Sequence, residues 1–182
     1  MLSLNLAKAE LDLIAQLANQ KQAFSPQHPL LGEDATWALE LAKLPLPDLP
    51  KADCIISLNL LSQLAIFPYL RLEKILQNLR CPQDTRLQRL TALSNAISAR
   101  HLKLLRSFPQ ALLISEITQQ HFKEKASYVQ RTDENILSPE LLAQLTPWGR
   151  SWDWPLAPYG EIDEQTEIIS KVGAYTISPP SV

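Results

Sequence analysis

Asp53-Cys54-Ile55-Ile56-Ser57-Leu58 decides the reading of the fold. The run is short, rich in β-branched residues and apolar at both odd and even positions, the signature of a strand buried on both faces. Ala111-Leu112-Leu113-Ile114-Ser115-Glu116-Ile117 repeats the pattern. Such strands lie inside parallel sheets with helices packed above and below.

Between the two runs the pattern is helical. Residues 59–66 read as a loop and the first turns of a helix. Pro68 costs about 3 kcal/mol in a helix interior, so a break with a restart near Tyr69 is expected. Cys81-Pro82 ends that helix. Residues 84–107 form the longest helix, with Leu87, Leu90, Leu93, Ile97, His101, Leu104 and Leu105 on one arc. Arg86, Arg89, Arg100 and Lys103 form a stripe beside that arc, read as a solvated face.

Upstream, Leu6, Leu13, Ile14, Leu17 and Phe24 share one side of a helix over 6–24, and Ser25-Pro26 through Gly32 ends it. Residues 36–41, carrying Trp37, read as a strand. Leu44-Pro45-Leu46-Pro47-Asp48-Leu49-Pro50 is an extended connection, because its three prolines remove three backbone donors. Downstream, Ser138-Pro139-Glu140 starts a helix with serine at the cap and proline at the first helical position. Two strands follow, at 151–156 and 167–177, and Pro179-Pro180 cannot continue a sheet.

Alternating strands and helices imply an α/β fold: three layers around a mainly parallel sheet, with an antiparallel strand pair at the carboxyl end. No linker composition divides the 182 residues, so 1–182 reads as a single domain, with 1–34 its amino-terminal helix and loop. At 46% hydrophobic and 20% charged the chain can bury a core. A net charge of −2 gives no overall attraction to nucleic acid or an anionic membrane. Two cysteines cannot make a disulfide framework or a four-thiolate metal site. No apolar run approaches the roughly 20 residues of a spanning helix, and no secretory leader is readable, so the cytoplasm is the expected compartment.

Three segments carry a family resemblance. Asp53 through Asn59-Leu60-Leu61-Ser62-Gln63-Leu64 resembles the fourth strand and following loop of class I S-adenosylmethionine-dependent methyltransferase-like proteins. Arg100-His101-Leu102 with Leu104-Leu105, leading through Phe108 into the strand at 112–116, is a second match. Trp152-Asp153-Trp154-Pro155-Leu156-Ala157-Pro158-Tyr159-Gly160-Glu161 is similar to an aromatic-rich late segment in a bacterial branch of that fold. Together these span roughly 35–177, the rear portion of the family.

The resemblance implies a Rossmann-like sheet and methyl transfer from S-adenosylmethionine. The family's cofactor rests on a glycine-rich turn after the first strand, where glycine lets the backbone approach the ligand. The four glycines here, Gly32, Gly149, Gly160 and Gly173, are isolated, and fourteen prolines supply the turns instead. The expectation is therefore a truncated or degenerate methyltransferase, incomplete at its amino end, that holds the cofactor weakly or not at all. Lacking the family's first strand, the 54–58 strand would keep an uncovered edge open to self-association or to a partner completing the sheet. The alternative reading is a non-enzymatic interaction module that uses that edge or the stripe from Arg86 to Arg106.

Several residues are candidates for chemistry. Ser57, Asn59 and Gln63 follow the carboxyl end of a central strand, where open α/β sheets bind ligands. By resemblance Asn59 meets substrate; by its residue type it caps the next helix. His101, on the apolar arc, reads as a proton acceptor or as a core histidine bonded to a carbonyl. Glu116 ends a buried strand and suits a substrate amine, or pairs with a nearby lysine or reaches solvent. Trp152 and Trp154 point to one side of their strand as a wall for a planar ligand or as core, with Glu161 close in sequence. No histidine or cysteine lies one helical turn from His101, so no metal site is expected. Nucleic acid is an unlikely partner, since no aromatics interleave with the arginines to stack on bases.

Overall fold

Two long strands paired along most of their length form the axis of the sheet. The computed structural model describes residues 8–18, 36–58, 60–125 and 128–178. These divide into two compact units, 1–51 with 63–104 and 52–62 with 105–182.

The first unit is helical. It contains α1 (Lys8–Ala18), α2 (Thr36–Lys43), α4 (Ile66–Asn78) and almost all of α5 (Gln83–Leu105), with the short α3 (Leu60–Gln63) at its boundary. Helix α1 packs against α4. Each helix buries one face at helical spacing: Glu10 and Ile14 on α1, Trp37 and Leu41 on α2, and Pro68, Leu72 and Leu76 on α4. Residues 36–41, expected as a strand, lie in α2. Ala38, Leu39, Glu40 and Leu41 are strong helix formers, and their preference outweighs that of Thr36 and Trp37. Pro68 causes no break. It stands in the first turn of α4, where its missing N–H has no intrahelical partner to lose. Helix α4 ends with Cys81 N–H donating to the Leu76 carbonyl and Arg80 N–H to that of Gln77. Arg80 takes the left-handed conformation (φ 53°) that glycine usually supplies there. The expected helical residues 6–7 and 19–24, the turn over 25–32, and Pro179-Pro180 lie outside the described residues.

The second unit holds β1 (Cys54–Leu58), β2 (Gln110–Lys125), β3 (Tyr128–Asn135), α6 (Pro139–Leu142), β4 (Thr146–Pro147), β5 (Trp152–Ala157) and β6 (Thr166–Ile177). These strands make one six-stranded sheet. Strand β6 runs antiparallel to β2 from Ala111↔Ile177 to Lys123↔Thr166. Strands β1 and β3 lie end to end along the outer side of β2, at its first and second halves. Strands β4 and β5 do the same along β6. Ser138 caps α6 as expected, its Oγ accepting from Leu141 N–H at 3.3 Å.

This overturns the three-layer, mainly parallel sheet of methyltransferase-like type. Among the described residues only the β1–β2 ladder is parallel; the β2–β3, β2–β6, β4–β6 and β5–β6 ladders are antiparallel. The strand at 110 does not end at Ile117 and cross to another parallel strand. It continues to Lys125 and folds back as β3, so no crossover helix follows it. Nor is β1 buried on both faces: Ile56 is 58% and Leu58 60% exposed, while Ser57 between them is buried. The expected antiparallel pair at the carboxyl end is present as β5 and β6.

The two faces of the sheet differ. One carries Ser57, Leu113, Ser115, Tyr175 and Ile177, all buried. Gly173 lies on this face opposite Ser115, and a Cβ placed there would come within 2.7 Å of Tyr175 Oη and 2.9 Å of Ile117 Cδ1. The other face carries Ile56, Leu58, Ile114, Glu116, Val172 and Trp152. At the middle of β2 a register shift between Glu116 and Thr118 leaves Ile117 outside the ladder. Its carbonyl accepts from the amides of Ile136 and Leu137, anchoring the chain that leaves β3.

Two outcomes test this packing. Leu90 and Leu87 stand one turn apart on α5, the first 2% and the second 51% exposed. Leu90→Ala should cost about 2–5 kcal/mol and Leu87→Ala about 0.5 kcal/mol or less, compared by urea unfolding. Gly173→Ala should destabilise by about 1–3 kcal/mol, since the Tyr175 ring must leave its place; an unchanged unfolding midpoint would refute that contact.

Candidate functional site

The sheet brings three of the expected site residues onto one face. Glu116 on β2 is opposite Val172 on β6, which is opposite Trp152 on β5. The next row is Gln119, Ser170 and Trp154. Residues directly opposite in a ladder project to the same side, so Glu116, Trp152 and Trp154 share a surface. The Glu116 side chain is buried. Its Oε2 accepts from Ser170 Oγ at 2.9 Å and from Gln119 Nε2 at 2.6 Å. Two neutral donors thus hold the carboxylate in place. Neither donor was singled out in the sequence, because the bulge that sets Gln119 beside Glu116 leaves no local sign. Trp152 and Trp154 are partly exposed, so they form part of the sheet's surface and not its core.

Along the same face toward β1 the surface is apolar. Ile56 and Leu58 stand beside Leu112 and Ile114, which are half-buried. An open groove of about 320 Å³ lies at the amino end of β1 and β2, lined by Cys54, Gln110, Leu112, Trp148, Thr176 and Ser178 among others. That is the end opposite the one where parallel α/β sheets bind ligands.

The remaining expected residues are arranged differently. Ser57 points to the opposite face from Ile56 and is buried. Asn59 lies outside the described residues. Gln63 is exposed at the end of α3. Glu161 is exposed in the turn between β5 and β6, which is held by Asp163. The Asp163 carboxylate accepts from Thr166 Oγ1 at 2.9 Å and from Gln165 N–H at 2.8 Å, and these bonds lower its pKa.

In the helical unit, His101 is buried on α5, and burial alone pushes its imidazole down to about 4. The ring is therefore neutral at pH 7. Beside it runs an ion pair between Arg100 Nη1 and Glu10 Oε1, both side chains buried, with Arg100 Nη2 donating to the Pro45 carbonyl. A water-sized cavity of about 20 Å³ is lined by Glu10, Arg100, His101 and Leu104 among others. In the sequence Glu10 is one of the polar residues, with Asn5, Lys8 and Asp12, that interrupt the apolar residues of 1–18. It sits four residues before Ile14 on the buried side, and no local pattern announces a partner ninety residues away. The arginine stripe is not a solvated face, since Arg89 and Arg100 are buried among its members. Among the described residues no group of three or more histidine, cysteine, aspartate or glutamate side chains is placed to hold a metal ion. None of their helices is long and apolar enough to cross a membrane.

Because the folded pKa of His101 lies below its unfolded value, the unfolded chain binds the extra proton between pH 6.5 and about 4. Stability should therefore fall as the pH drops through that window, by about 3 kcal/mol in total. His101→Gln should remove that part of the slope in urea midpoints measured from pH 7 to 4. An identical slope in the variant would mean the ring is protonated in the fold.

No family model, no curated protein and no solved structure matches the chain.

Proposed function

We propose that this chain is a non-enzymatic interaction module that associates through the apolar surface and open edge of its sheet. The supporting observation is β1 itself: Ile56 and Leu58 project 58% and 60% exposed from a strand that has β2 on one side and, among the described residues, no strand on the other. Isolated surface leucines are ordinary, whereas contiguous apolar residues on an unpaired strand mark an association surface. The second surface considered, the arginine stripe, is interrupted by burial of Arg89 and Arg100 and supports the reading less well.

The candidate site favours binding over turnover. Glu116 accepts from two neutral side chains, and His101, neutral inside a helical core, stands beside a cavity with room for about one water. S-adenosylmethionine is implied by the resemblance of three segments to methyltransferase-like proteins, whose mainly parallel sheet this mixed one does not share.

A photo-crosslinking amino acid in place of Leu58, tested in cells that make the protein, should give discrete adducts that Ile56→Lys abolishes. The same probe in place of Val129, which is exposed on the polar strand β3, should give none. Absence of any adduct from position 58 would contradict the proposal.

A further inference from the structure

We infer that the occupant of the β1 edge is a second copy of this chain, added antiparallel about a two-fold axis at Ile56, which deepens the module reading and rests on it. The backbone sets the geometry. Gln110 N–H donates to the Asp53 carbonyl at 3.2 Å, so Asp53 faces β2. Backbone groups alternate sides along a strand, so Ile55 and Ser57 also face β2, and the amides and carbonyls of Cys54, Ile56 and Leu58 point to the open edge. In an antiparallel ladder, opposite residues whose backbone groups face each other exchange both hydrogen bonds, and these pairs alternate with non-bonded ones. One register uses all three outward residues: Ile56 opposite Ile56 of the second copy, and Cys54 opposite Leu58 of the second copy. That register is symmetric, as a two-fold interface between identical chains requires.

Among the four outer strands, chemistry selects this one. Strand β3 presents Arg131, Asp133 and Glu134, all exposed. Strand β5 presents Asp153, then Pro155 and a register shift before Ala157, and β4 is two residues long and ends in Pro147. Charge, proline, bulges and brevity are the devices that block strand addition. Strand β1 has brevity alone, with five residues and no charge, proline or glycine. Self-pairing therefore sets no like charges opposite each other. It places Ile56 against Ile56 and Leu58 against Cys54 on the face that already carries Leu112 and Ile114. An interface resting on a five-residue edge belongs with the small, transient ones, so dissociation constants of about 10 µM to 1 mM are expected.

Sedimentation velocity of the full chain should show a monomer–dimer equilibrium over that concentration range. Ile56→Pro deletes an amide that points away from β2, so it should abolish the dimer while the dilute monomer keeps its unfolding midpoint. Ile56→Lys should do the same by charge and serves should the proline variant not fold. L58C carries the register test: under copper–phenanthroline oxidation the introduced thiol should join Cys54 of the second copy, doubling the mass. Wild-type Cys54 lies four residues, about 14 Å, from its own counterpart in this register, too far for a disulfide. A wild-type chain monomeric to 1 mM, a dimer that survives both Ile56 variants, or L58C crosslinks mapping elsewhere would overturn the inference. A monomeric chain that still gives an adduct of another protein from position 58 overturns self-pairing alone. No adduct of any kind, with a monomeric chain, overturns the module reading as well.

Discussion

The antiparallel ladder between β2 and β6 is the constraint on which the sheet depends. It runs from Ala111↔Ile177 to Lys123↔Thr166, and each long strand then offers its outer side to two short ones. With β6 on one side of β2, the parallel partner β1 lies on the other, and among the described residues no strand lies beyond it. Strand β2 is long enough to share that side between β1 and β3. Burial follows the same logic. Val172 and Leu113, on opposite faces of the two central strands, are fully covered, while Ile56 and Leu58 at the end of the row are not.

Much of the local structure was readable from sequence, and the arrangement of strands was not. The apolar runs at 54–58 and 111–117 are strands, the helices at 66–78 and 83–105 fall close to the expected ones, and Ser138 caps α6 as its Ser-Pro-Glu sequence predicts. The step that failed was inferring parallel neighbours from strands apolar at every position. That inference assumes both faces are covered, and on β1 one face is not. The second half of β2 and all of β3 were missed because Thr118-Gln119-Gln120-His121 and Gln130-Arg131-Thr132-Asp133 carry no apolar period. Polar residues suit a hairpin that extends beyond the apolar rows: Arg131 pairs with Asp133 two residues along β3 at 2.7 Å, and its guanidinium reaches across to the Phe122 ring on β2. The cross-strand contact is invisible to a window on one segment.

The polar residues show a similar division. Glu116, Trp152 and Trp154 were chosen for their residue type and place, and they do share a face. What holds Glu116, Ser170 and Gln119, depends on register across a bulge and has no local sign. The burial of Glu10 with Arg100 is likewise a tertiary fact. Replacing one member of such a pair leaves the other charge buried and uncompensated, so these two residues anchor α1 to α5 within the helical unit. They account for helical architecture, whereas the proposed association surface belongs to the sheet.

In the proposed dimer the outer backbone groups of β1 are satisfied by another copy of the chain. Amide hydrogen exchange resolved by residue tests it directly, measured at increasing protein concentration. Ile55 and Ser57, bonded to β2, should exchange slowly at every concentration. The amides of Ile56 and Leu58 should exchange fast in dilute solution and slow progressively as the chain associates. Rates at Ile56 and Leu58 that do not change with concentration would contradict the account.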